Sequence, residues 1–202
     1  MRRILRASMK LTSVVIVVLL MIAMTVTSFA ADTVTVDVTG TYGQTEARSM
    51  LNMVNDFRTG RITDGGQSTV WAYNDKNQID TASYANLGKL QYDYELEKVA
   101  KERAMELVLQ FDHSRPNGEY CNDLFPDGYS AKGENIAAGY GGKNKTAEEA
   151  FESWCETNKF YNGQGHRRNM LGRGYNRIGI AHVVVDYSGD LTEGDRDYHY
   201  TT

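Results

Sequence analysis

The segment "DYELEKVAKERAMELVLQF", residues 93–111, leaves this chain the least freedom. Leu96, Val99, Ala100, Ala104, Leu107, Val108 and Phe111 gather on one stripe of an α-helix, while Glu95, Lys98, Lys101, Glu102 and Glu106 fall mostly off it. Asp93 supplies an N-cap. Pro116 and the turn sequence "RPNG" predict a helix end near Asp112. A helix that is apolar on one side only must bury that side against another layer. His113 then falls at the helix exit, off the buried stripe.

A second helix is expected from Glu46, where Ala47, Leu51, Val54 and Phe57 share a face and Gly60 suits the stop. Residues 60–88 are rich in Gly, Asn, Asp, Ser and Thr and read as a long surface excursion, with Trp71 and Tyr73 pinning it to the body. "TAEEAFESW" opens a third helix, with Thr146 and Glu149 at capping-box spacing and Ala147, Ala150, Phe151 and Trp154 on its buried face. "HRRNML" fits a single helical turn stopped by Gly172. "RIGIAHVVVDY" reads as a strand, "SGD" as a turn and "RDYHYTT" as a partner strand. Helices followed by terminal antiparallel strands place the chain in the α+β class.

Residues 1–30 have the order of a secretory signal peptide: Arg2, Arg3, Arg6 and Lys10, then an apolar run, then small residues at Ser28 and Ala30. The competing reading is an uncleaved anchor, because residues 11–31 carry no charge and are just long enough to cross a bilayer. A membrane partner is expected only in that second case. Without residues 1–30 the chain keeps 18 basic against 26 acidic residues, a net charge of −8. So acidic a chain has no general attraction for nucleic acid or an anionic surface. Residues 31–43 are a short linker or a loosely attached strand, and 44–202 form one domain. Cys121 and Cys155 permit a disulfide in an exported protein, and two separate buried thiols are the alternative.

There is no HExxH, CxxC, Walker A loop or GxSxG, and the spacing in "GGKNKT" is wrong for a phosphate loop. Polar groups remain at element ends: His113 in "FDHSRPNG", Glu134 in "KGENIAAGYGG" and His166 in "NGQGHRRNML". Two imidazoles and a carboxylate can hold a divalent metal such as zinc with an open position, or share protons as an acid/base group. The gaps of 21 and 32 residues match no compact metal motif, so the residues alone leave both readings open, beside purely structural roles. His182 is expected to be packed or at the surface rather than a ligand, His199 has no constellation, and Ser114 is a poor nucleophile candidate beside His113. Arg167 and Arg168 are expected to be solvated or paired with acids.

"FDHSRPNG", "GENIAAGY", the Trp154 helix, "GHRRNML" and "YNRIGIAHVVV" occur in the order and approximate spacing of the CAP superfamily, which includes cysteine-rich secretory proteins, antigen 5 and pathogenesis-related proteins. "MLNMVNDFR" and "LQYDYELEKVAKERAMEL" resemble its first two helices. The resemblance covers about residues 44–202 and implies an α-β-α sandwich with an open cleft. It makes His113 and His166 the two cleft histidines and Glu134 the first cleft acid, the set expected to hold a metal. The animal and plant pattern places a second acid where this chain has Thr157. Glu156 precedes it, but one residue is about 100° around a helix, which argues against its reaching inward. Bacterial relatives often carry a small hydroxyl residue there, so the chain resembles a bacterial-type member. Those relatives usually continue beyond "DYHYTT", so the expectation is that either the protein is short or its last strand is incomplete.

The resemblance implies a secreted protein that acts mainly by binding an extracellular ligand: a lipid, a wall component or another protein. The alternative is a metal-dependent or acid/base hydrolase of peptidase-like kind.

Overall fold

The computed structural model describes residues 39–140, 146–186 and 196–201. Residues 1–30 with the expected signal peptide, residues 141–145, the expected "SGD" turn and the side chain of His199 lie outside the described residues. Along the chain run β1 (Gly40–Tyr42), α1 (Gln44–Arg58), β2 (Ala72–Tyr73), β3 (Ile79–Asp80), β4 (Gln91–Tyr92) and α2 (Tyr94–Leu109). Then follow β5 (Ile136–Tyr140), α3 (Ala147–Cys155), α4 (Gly165–Met170), β6 (Arg177–Ile178), β7 (Ala181–Asp186) and β8 (Arg196–Thr201). Among the described residues, no helix is long and apolar enough to cross a membrane.

The main sheet has the order β1-β7-β8-β5, every pairing antiparallel. Side chains of successive strand residues point to opposite faces, and β7 sorts its neighbours accordingly. Ala181, Val183 and Val185 pack with Ala100 and Ala104 of α2. On the other side α1 and α3 bury Ala47, Met50, Val54 and Phe57 with Ala150, Phe151 and Trp154. The result is the expected α-β-α sandwich, α+β in class, with α2 on one face and α1 and α3 on the other. His182, alternating with those valines, is packed as expected and lies close against Gly43, where an added Cβ would meet its ring.

The local signals act where the sequence puts them. Asp93 caps α2, accepting from the backbone N–H groups of Glu95 and Leu96. Thr146 and Glu149 form the capping box of α3. Residues 40–42, expected in a linker or loose strand, are an edge strand paired to β7.

Two expectations need correction. Phe111 does not belong to the buried stripe: α2 stops at Leu109, Gln110 adopts an extended conformation, and Phe111 is 52% exposed. The segment "RIGIAHVVVDY" is also not one strand. β6 pairs in parallel with β4, whereas β7 joins the main sheet, and the chain changes partner at Gly179 and Ile180. Gly179 permits this because the backbone of α2 lies against it: an added Cβ would sit 2.2 Å from the Glu97 nitrogen and the Leu96 carbonyl carbon.

The excursion is fastened to the body as Trp71 suggested, and also by an ion pair. Arg167, fully buried, makes a two-pronged pair with Asp64 at 2.7 and 2.8 Å and donates to the Trp71 carbonyl. Its guanidinium stacks on the Trp71 ring, 4.1 Å from the centroid. This is the acid pairing expected for an arginine of "GHRRN"; Arg168 instead lies over Tyr161 and donates to that residue's carbonyl.

Candidate functional site

His113 leaves the end of α2, and its Nδ1 lies 2.8 Å from Glu134 Oε2. Glu134, from the turn before β5, is fixed from behind by Arg103 of α2, whose Nε donates to Oε1 at 2.7 Å. Arg103 also donates to Glu106 at 2.6 Å and to the Asp112 carbonyl at 2.7 Å. The Glu134 side chain is 4% exposed. Burial alone would raise its carboxyl, but the bonds from His113 and Arg103 outweigh it and hold the group below its ordinary value.

The second histidine has its own carboxylate, and it is the one argued against above. His166 Nδ1 lies 2.7 Å from Glu156 Oε1, and Glu156 Oε2 accepts from the Arg167 backbone N–H. Helical rotation does not place this residue, because α3 has already ended at Cys155. Glu156 is in the left-handed conformation, φ 47° and ψ 36°, so it leaves the helix path and faces the cleft. Thr157, at the family position for the second acid, bonds to Asp64 instead. Trp154 stacks against the His166 ring and donates from its indole to the Ile136 carbonyl. Asn135 donates to the His166 carbonyl and accepts from Asn169, so "GENIA" and "GHRRN" are bonded to each other directly.

Both pairs line one open cleft of about 500 Å³, with Tyr120, Asn122, Asn162, Asn169 and Tyr175 among the other wall residues. Nδ1 of His166 is engaged by Glu156, which leaves Nε2 to the cleft, whereas a cation held by both His113 and Glu134 would replace the hydrogen bond between them. Of the three expected site residues, His113 and Glu134 are in direct contact, while His166 shares the cleft but is held by Glu156. Ser114 is not among the wall residues.

Cys121 is part of this wall, whereas Cys155 ends α3; both are buried and free, so no disulfide joins them. Burial, together with the nearby Glu134 charge, pushes the Cys121 thiol up to about 12. The donors of His113, Cys121 and Glu134 all lie within 4.8 Å of one another. Ligands bound tetrahedrally at zinc distances stand about 3.4–3.7 Å apart, so the His113–Glu134 pair, at 2.8 Å, would open and the more distant donors close to hold a divalent cation.

Sequence reasoning missed Arg103 and Cys121 as site residues and argued against Glu156. Arg103 left a trace: it lies three residues after Ala100 and four before Leu107, a charge on the apolar stripe.

Residues 51–201 match the family model of CAP, the cysteine-rich secretory protein family. The chain belongs to that family. Among bacterial relatives it is 32% identical over 129 residues to the uncharacterized protein YkwD of Bacillus subtilis (strain 168). That match covers 60% of this chain and 46% of the relative, so the chain spans about half the length of the curated relative. Among solved structures, it is similar to an extracellular protein containing a SCP domain from Bacillus anthracis str. Ames. There the TM-score is 0.47 at 20% identity, covering 78% of this chain and 39% of the other. An outer surface protein from Borrelia burgdorferi gives a TM-score of 0.49 at 14% identity, covering 82% of this chain and 96% of the other.

Proposed function

We propose that the protein is exported and binds a polar component of the cell wall in the cleft between its two imidazole–carboxylate pairs. The observation that carries this reading is the chemistry of the walls: His113, His166, four asparagines and Tyr120 around one open hollow. Amides and imidazoles donate and accept hydrogen bonds, which suits hydroxyl- and amide-rich ligands. A lipid is less well served: the neighbouring apolar pocket, lined by Val54, Leu90, Phe125 and Ile178, holds about 60 Å³, room for a few waters rather than an acyl chain. Export is supported by the basic, apolar, small-residue order of residues 1–30.

A divalent cation such as zinc would be held on the His113–Glu134 side, with His166 on the same cleft available to the ligand. The cation would supply a Lewis-acid contact to a ligand oxygen. The hydrolase reading is favoured by one feature, carboxylate-oriented imidazoles able to move a proton.

Purified protein lacking residues 1–30, sedimented with isolated peptidoglycan and with phospholipid vesicles, separates these readings. We expect retention on peptidoglycan, at least tenfold weaker in the His113→Ala/His166→Ala variant. Retention on vesicles alone would overturn the ligand assignment. Soluble fragments released by the unaltered protein and lost in His166→Ala would replace binding with hydrolysis.

A further inference from the structure

We infer that Cys121, His113 and Glu134 form a thiolate-containing metal centre, selective for zinc-like cations over magnesium and calcium. The inference rests on the reading of the cleft as cation-binding and goes further by naming a cysteine, rather than His166, as the third protein ligand.

The chain builds this cluster with a short return. Arg115 and Glu119 are bonded through their backbones, Gly118 takes φ 87°, and the Cys121 N–H donates to the His113 carbonyl at 3.0 Å. Cys121 then begins a 3-10 turn, Cys121–Leu124, which sets its sulfur beside the His113–Glu134 pair. Glu134 is already oriented: Arg103 Nε occupies Oε1, and Oε2 faces His113. A ligating carboxylate held in this way by a partner outside the metal shell is a common feature of metal sites.

Three donors of sulfur, nitrogen and oxygen type, with the cleft open beside them, make the donor set of a zinc site that keeps one position for an outside ligand. Thiolate disfavours magnesium and calcium, which take oxygen ligands. His166 is not in this set; its Nδ1 is held by Glu156 at 2.7 Å and its ring stacks on Trp154.

The balance of protons and charge is simple. A cation displaces the Cys121 thiol proton to solvent, while the neutral imidazole offers a lone pair and keeps its one N–H. Thiolate and carboxylate sum to −2, which a divalent ion neutralises, while the Arg103 cation is shared with Glu106.

Cobalt(II) titration of the purified protein tests this, because only a thiolate ligand gives sulfur-to-cobalt charge-transfer absorption in the near ultraviolet. We expect that band in the unaltered protein and in His166→Ala and Cys155→Ser, and its loss in Cys121→Ser. Disturbing an outer partner of a metal ligand typically costs about 10–100-fold in affinity, so losing the sulfur itself should weaken zinc binding at least about tenfold. Excess magnesium should not displace the ion. Cobalt bound by the unaltered protein without the band would overturn the inference whatever the variants do. If that binding were lost in His166→Ala, cation binding in the cleft would stand with a different donor set. No cobalt or zinc bound at all would overturn both.

Discussion

Replacing Arg103 by methionine should be among the most damaging single changes in this domain, and the damage should depend on pH. Arg103 is buried, and its guanidinium serves Glu134, Glu106 and the Asp112 carbonyl. Glu106 would keep Arg115, which approaches it at 2.7 Å. Glu134 would keep His113 but lose Arg103 while still buried. Removing one partner of a buried ion pair costs about 3–5 kcal/mol. In a domain of this size each 1 kcal/mol moves the melting midpoint by about 2–4 °C, which gives a fall of roughly 6–20 °C near neutral pH. In the unaltered protein the Glu134 carboxyl sits below its ordinary value, although burial pulls the other way. Its stabilising contribution is therefore present above the unfolded carboxyl value of about 4.3 and is lost as pH falls through the lower folded value. In the variant, burial is no longer opposed by Arg103, so the carboxyl should rise and take up a proton on mild acidification. The deficit against the unaltered protein should be largest near pH 7 and shrink toward about pH 4.5. Calorimetric melts of both proteins at these two pH values provide the measurement. A deficit that stays constant with pH, or one below about 1 kcal/mol at neutral pH, would refute the reasoning.

Gly179→Ala should lower stability by at least about 1–3 kcal/mol in denaturant melts, because its Cβ would collide with the α2 backbone, whereas Gly165→Ala, with open space around it, should change little. Asp93→Ala should cost about 0.5–2 kcal/mol as a lost helix cap. Burial would raise the Asp93 carboxyl, but Arg177, Tyr129 and the cap N–H groups hold it at about 2, so its contribution should persist through mild acid and disappear only as pH falls toward that value. Dithiothreitol should leave the melting midpoint of the metal-free protein unchanged, since Cys121 and Cys155 are unbonded; a drop of several degrees would show that they are joined.

The helices were legible because each carries a signal of its own: a stripe at 93–108, a capping box at Thr146, a single turn at 166–171 stopped by Gly172. The break at Gly179 was not, because β6 and β7 take partners, β4 and β1, that lie far back in the chain. The site divides in the same way. His113 and His166 stood out as imidazoles beside turns, yet which carboxylate each would meet depended on backbone that no periodicity specifies. Glu156 reaches His166 only through a left-handed residue at the end of α3, and Cys121 reaches Glu134 only through the return of 113–121. Each histidine–carboxylate pair spans a modest stretch of chain, 21 residues in one case and 10 in the other. Where the two pairs meet at one cleft, a bond between Asn135 and Asn169 ties "GENIA" to "GHRRN" across 34 residues. Glycine at 133 belongs to the same joint, since a Cβ there would meet the Asn169 side-chain oxygen and the Tyr175 hydroxyl at 2.4 Å. The two motifs thus specify a junction first, and the cleft is the space that the junction leaves between the histidines.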